Sequence, residues 1–186
     1  MPTPRLSSYR AKRDFARTTE PSGAAVEDGG NRFVVHKHQA TADHYDLRLE
    51  LDGVLKSWAV PKGPSLDPAE KRLAVQTEDH PVEYIDFEGV IPEGEYGAGP
   101  VIVWDRGTYE NLRDEAMGEA LDAGHASFWL EGQKLRGGWS LRRTGGRQWL
   151  LVKRRDEEAD ARRRPTSTQP ESVVSGRTIE EVRERG

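Results

Sequence analysis

The chain of 186 residues contains no cysteine. Disulfides and thiolate metal sites are therefore excluded, and any metal must be held by His, carboxylate or carbonyl oxygen. It also lacks an apolar run long enough to cross a membrane, and its start, "MPTPRLSSYRAKRDF", has no apolar segment of the kind that drives secretion. The expectation is a soluble, cytoplasmic protein with no membrane partner.

Histidine is scarce too, yet three of the five histidines fall within nine positions, in "RFVVHKHQATADHYDLRLELDG". Net charge is −4, but the charge is unevenly spread. Glu78 to Glu95 holds seven acids and no Lys or Arg, whereas Gly132 to Arg155 holds eight basic residues and no acid. The basic stretch also carries Trp139 and Trp149. Cations interleaved with aromatics suit phosphates and unstacked bases, and equally suit a wet strand face over two core tryptophans. Trp58 and Trp104 read as core.

Punctuation by Gly, Pro, Ser and Asp divides the chain into a flexible basic arm over 1–31, a compact region over 32–155, and a charged tail over 156–186 ending in a short helix. The compact region alternates with period two: "RFVVHKH", "HYDLRLEL", "VLKSWAV", "RLAVQT", "VIVWD", "HASFWLEG", "GGWSLRRT" and "QWLLVKR" read as strands. "DG" at 52 and 53 joins two of them as a hairpin. "NLRDEAMGEALDAG" reads as a helix. The fold class expected is mainly β: a small antiparallel barrel of about eight strands with short peripheral helices.

On a strand, His44, Asp46, Arg48 and Glu50 share one face, and Tyr45, Leu47, Leu49 and Leu51 the other. A short return through "QATAD" brings His38 toward His44 and Asp46, a set suited to manganese, iron or zinc with Arg48 placed to clamp an anion. The pattern leaves three functions open. One is metal-assisted phosphate chemistry. A second is a non-haem iron, 2-oxoglutarate-dependent oxygenase using His44, Asp46 and His125, with Arg136 eleven residues further on. The third is a non-catalytic nucleic-acid-binding barrel.

Longer motifs narrow the choice. "KHxAxxxHYDLRLE", "SWAVPKGP", "EDHPxEY" and "IPxGxYGAGxVxxWDxG", with "SVVSGRTIEEV" near the end, resemble the 3'-phosphoesterase domain of bacterial non-homologous end-joining DNA ligase D and its stand-alone relatives. The resemblance covers about residues 10 to 155. It implies a DNA-repair hydrolase on a β-barrel, dependent on a divalent metal, mainly Mn2+ with Zn2+ or Co2+ as alternatives. Its substrates would be the 3' ends of a primer-template. It would act as a 3'-ribonuclease and then a 3'-phosphatase, removing a terminal ribonucleoside and the remaining 3'-phosphate. The resemblance assigns the metal to His38, His44 and Asp46. It gives phosphate-binding or catalytic roles to Arg48, His80 and Tyr84, support to Lys62 and Arg72, and a share of activity to Arg13, Asp14 and Glu20 of the arm. His36 stands where some relatives are expected to carry Gln, and is read as a supporting donor near the phosphate. A monomer, working alone or with a separate ligase or polymerase, is expected.

Overall fold

In the computed structural model, residues 6–23 and 30–185 are described. The alternating segments form β1 (Arg32–Gln39), β2 (Asp43–Leu51), β3 (Val54–Val60), β4 (Arg72–Pro81), β5 (Gly89–Ile91), β6 (Gly99–Asn111), β7 (His125–Gly132), β8 (Arg136–Gly145) and β9 (Gln148–Lys153). Pairing runs β1-β2-β3-β4-β9-β8-β7-β6, all antiparallel, and β6 closes onto β1, so eight strands make a barrel and β5 pairs with the free end of β6. Closure removes the sheet edges that would otherwise invite association. The expected fold class holds. At the hairpin, Asp52 (φ 52°) and Gly53 (φ 80°) both take the left-handed conformation that a two-residue turn of this hand requires.

One side of each strand fills the barrel. Phe33, Val35, Leu47, Leu49, Trp58, Val60, Trp104, Phe128, Leu130, Leu141 and Leu151 pack there with Trp139 and Trp149. The two tryptophans of the basic stretch are thus core, and stacking by them is not available to bases. The outward side is also covered over β1, β3 and β6. Val34, Leu55, Val101 and Val103 meet Tyr9 of α1 (Ser7–Ala11), Tyr84 and Ile85 of a 3-10 helix (Val82–Asp86), Phe87, and Ile91 of β5. Six consecutive residues of β2 are buried, so polar groups on that face are shielded from water by a second layer.

One helix is shorter than the sequence reading has it, and the terminal helix expected at "TIEEVRER" is present. The helix expected over 111–124 is confined to α2 (Met117–Asp122). Asn111 ends β6, and its side chain accepts from Arg113 N and donates to Glu115 O, an alternative to helical pairing that Asn readily supplies. The stretch after β9 is tied down, with α3 (Pro165–Thr168) and α4 (Ile179–Arg185) along it. Trp104 Nε1 donates to Gln169 O at 2.8 Å, Val173 N to Val103 O at 2.9 Å, and Ile179 and Val182 pack on Ile102. Among the described residues no helix is long and apolar enough to cross a membrane.

Candidate active site

The outward face of β1 and β2 carries the candidate metal ligands because of register. His38 lies opposite His44, His36 opposite Asp46, and Val34 opposite Arg48. The donor atoms of His38, His44 and Asp46 lie within 4.8 Å of one another. Asp46 Oδ2 is 3.1 Å from His44 Nε2 and 3.8 Å from His38 Nδ1.

Backbone carbonyls fix which nitrogen each imidazole offers. His38 Nε2 donates to Gly97 O at 2.6 Å, leaving Nδ1 turned to Asp46, and His44 Nδ1 faces Ala42 O at 3.3 Å, leaving Nε2. Orientation of a ligating imidazole by its far nitrogen is how such sites hold their tautomer. Two imidazole nitrogens and one carboxylate turned toward a common point fit a divalent ion of the Mn2+, Co2+ or Zn2+ kind, which would replace the proton that His44 Nε2 shares with Asp46. Burial lowers the proton affinity of His38 against the pull of Asp46. Burial also opposes the charged form of His44, but the hydrogen bond to Asp46 prevails and raises it. For Asp46, burial is outweighed by Arg48 and His44, and the carboxyl stays ionised far below the usual range.

Gly97 makes this geometry possible. Its φ of +74° is left-handed, and a Cβ there would lie 3.2 Å from His38 Cε1. Gly97→Ala should therefore displace the carbonyl that holds His38 and weaken manganese binding by about 10- to 100-fold, the effect typical of lost ligand support. Calorimetric titration of the variant, compared with its melting temperature, checks this.

Arg48 is the hub behind the ligands. Its Nε donates to His36 Nδ1 at 3.1 Å, Nη2 pairs with Asp46 at 3.4 Å, Nη1 lies 3.2 Å from His80 Nδ1, and its Cζ is 5.1 Å from the centre of the Tyr84 ring. His36 is fully buried, and burial together with Arg48 keeps it neutral, so it supports the guanidinium and is not itself a ligand. His80 Nδ1 also lies 2.9 Å from Glu78 O, which it meets as a donor, leaving Nε2 as the free acceptor 3.5 Å from Arg13 Nη2. Burial, Arg48 and Arg13 all hold His80 well below its ordinary pKa.

The arm completes the wall. Sequence suggests an arm that moves freely until substrate binds, with little apolar surface. Residues 6–23 instead sit on the barrel, with Leu6 and Tyr9 buried. Arg13 Nε donates to Glu20 at 2.9 Å, Tyr84 OH to the same carboxylate at 2.7 Å, and Thr18 Oγ1 to its other oxygen at 3.0 Å. Arg13 also stacks 3.9 Å from the centre of the Tyr9 ring and pairs with Glu78 at 3.4 Å. Tyr84 therefore spends its hydroxyl on Glu20 and lends its ring to His36 and His80.

Together these groups line a cleft of about 450 Å3 that includes Arg13, His38, His44, Asp46, Arg48, Glu78, His80 and Tyr84. Of the expected residues, Glu20 and His36 stand behind its lining, holding Arg13 and Arg48, and three more are not brought to it. Asp14 is exposed and accepts from Ala16 N at 3.0 Å, a turn within the arm. Lys62 is exposed after β3, and Arg72 shares its strand face with the core residue Ala74 and pairs with Glu70 at 3.4 Å. His125 and Arg136 lie apart as well. His125 begins β7, three strands round the barrel from β2, with Nδ1 3.0 Å from Arg113, so no His44–Asp46–His125 set forms. Glu78, Gly97 and Tyr9 were not singled out from sequence. Glu78 had one signal, its place two residues before His80 in "EDHPVEY". Gly97 acts only through a docked loop, and Tyr9 only through the docking of α1.

The family comparisons agree with this architecture. The model described as "DNA Ligase D 3'-phosphoesterase domain" matches residues 36–143, which include both ligand strands, Arg48 and His80. "Multifunctional non-homologous end joining protein LigD" of Pseudomonas aeruginosa is 55% identical over 183 residues, covering 94% of this chain and 22% of that protein. "Multifunctional non-homologous end joining DNA repair protein LigD" of Mycobacterium tuberculosis is 46% identical over 156 residues, covering 83% of this chain and 20% of that protein. The chain thus spans about a fifth of the length of these relatives. With a matched stretch this long and its motifs folded into one cleft, the chain belongs to the DNA ligase D 3'-phosphoesterase domain family.

Proposed function

We propose that the protein heals DNA 3' ends for end joining: it removes a 3'-terminal ribonucleoside from a primer-template and then the 3'-phosphate left behind, leaving a 3'-OH. The observation that carries this reading is the single cleft in which His38, His44 and Asp46 converge beside Arg48, Arg13 and His80. A divalent ion, most suitably Mn2+, held by those three side chains would offset charge on a non-bridging phosphate oxygen and lower the pKa of bound water.

The remaining work falls to the chain's own groups. In the diester step a water oxygen bonds to phosphorus, the bond from phosphorus to the ribose 5'-oxygen breaks, and that oxygen takes a proton. Arg48, turned by His36 and Asp46, offers its remaining N–H donors to the phosphate. Arg13, held by Glu20, offers a second cation from the opposite wall. His80 is neutral in the free protein and so begins as a hydrogen-bond acceptor at Nε2. Burial is the main reason His80 is unprotonated, with Arg48 and Arg13 adding to it; an anionic phosphate between the two arginines would offset their part and favour a proton on His80 for the leaving oxygen.

The test is a primer-template ending in one ribonucleotide, incubated with protein and manganese and resolved on a denaturing gel. Shortening to a 3'-phosphate and then a 3'-OH is the expected result. Binding without shortening would favour the non-catalytic barrel. An untouched primer with iron-dependent turnover of 2-oxoglutarate would favour the oxygenase, which the position of His125 already disfavours.

A further inference from the structure

The wall of the cleft holds an aromatic ring that the phosphate chemistry does not use. Tyr96, on the loop between β5 and β6, is 50% exposed. Among the described residues, large exposed apolar side chains are otherwise limited to Leu73, Leu112 and Val174, and Tyr96 alone of the four lines the cleft. Its backbone neighbour Gly97 is the residue whose carbonyl holds His38. The ring is thus one residue from the clamp on a candidate metal ligand. Arm cations back it: Lys12 Nζ lies 4.6 Å and Arg13 Cζ 5.5 Å from the ring centre, and Lys12 is itself tied to Glu78 at 3.1 Å.

A half-exposed ring that carries arm cations over it still offers apolar surface to the cleft, and the part of a nucleic-acid substrate that matches that surface is a base. A cleft of about 450 Å3 admits one nucleoside with its phosphate and not a duplex. With the phosphate at Arg48 and the ligand triad, the unit that enters beyond it is the terminal nucleoside. We propose that Tyr96 is a stacking ledge for the base of the 3'-terminal nucleoside, the leaving group of the diester step; this rests on the function proposed above. The arm cations, seated over the ring, stiffen the ledge and draw in the phosphate. The ledge is selective between the two steps, because the 3'-phosphate product no longer carries that base.

Two measurements on the full chain test it. The first compares kcat/KM on a ribonucleoside-terminated primer, the same primer with an abasic terminal ribose, and a 3'-phosphate primer. Stacking predicts that Tyr96→Ala lowers the first rate by about 5- to 150-fold more than the third, the range that one stacked base supplies. It also predicts that removing the base costs wild type a similar factor and costs Tyr96→Ala almost nothing. Tyr96→Phe keeps the ring without the hydroxyl and should behave as wild type. Equal losses on all three primers, or failure of Phe to rescue, would overturn the ledge. The second measurement needs no turnover: a primer ending in 2-aminopurine riboside is bound in the presence of a chelator, and stacking should quench its emission with wild type and Tyr96→Phe but not with Tyr96→Ala. Equal emission in all three proteins overturns the ledge. Wild-type protein that quenches the probe yet cleaves none of the three primers would count against the proposed reaction and leave the ledge supported.

Discussion

Alanine at His38, His44 or Asp46 is expected to abolish trimming of the primer and to weaken manganese binding by at least about 100-fold, while His125→Ala changes neither. A three-donor site has no spare ligand, and each residue lost also frees the groups it held. Asp46→Ala should be the most severe of the three, because its carboxylate faces both imidazoles and Arg48. Its loss leaves a buried guanidinium uncompensated. Calorimetry with manganese separates binding from catalysis, and melting curves separate both from misfolding. Unchanged affinity in His38→Ala would overturn the ligand assignment. Coordination needs neutral imidazoles, so affinity should also weaken as the solution is acidified.

Deletion of residues 1–21 is expected to remove most activity at saturating DNA and to lower the melting temperature by several degrees. The thermal effect follows from burial. Leu6 and Tyr9 are almost fully enclosed, and each such side chain contributes about 1.5–3 kcal/mol, offset in part by the entropy of ordering the arm. The catalytic effect follows from Arg13, whose guanidinium reaches His80 and Glu78 only while Glu20 holds it. The point change Glu20→Ala isolates this second effect. It removes the Nε partner of Arg13, which keeps Glu78 and the Tyr9 carbonyl, and it strands the buried Tyr84 hydroxyl at a cost of about 1–3 kcal/mol. An arm that served only to attract DNA would lose little at saturation and would be rescued by lower salt. Full activity of both proteins at saturating DNA would sink the catalytic role, and an unchanged melting temperature for the deletion would sink the packing argument.

The part of the site legible in sequence is the part built by local geometry. Alternation in "HYDLRLEL" and a short return from "HKH" were enough to gather His38, His44 and Asp46, because antiparallel register carries that information directly. The strand limits of β3 and β7 were likewise readable from their apolar period and flanking glycines. What was not legible depends on a second layer docking over the barrel's outer face. The meeting of Arg13 with Glu78, 65 residues away, and of His38 with Gly97, 59 residues away, is set by loops whose path no periodicity reports. Lys62, Arg72 and Asp14 show the converse. Their charge and their motif membership suggested the site, yet Arg72 pairs with Glu70, Lys62 stands exposed in the turn after β3, and Asp14 closes a turn of the arm. The basic run from Gly132 to Arg155 carried a strong charge signal, but its tryptophans answer to the core.

The loop bearing Tyr96 and Gly97 joins two events that are usually treated apart. One residue faces the space where a nucleoside would lie, and the next fixes the imidazole of His38. A shift of this loop on loading of one guest is therefore felt by the other. Thermodynamic reciprocity then sets a rule: whatever factor a terminal nucleoside adds to ion affinity, the ion must add to nucleoside affinity. Where that factor exceeds one, ion occupancy rises when an unprocessed end arrives and falls once the base has departed, so that the nucleic acid itself helps to decide when the site is loaded.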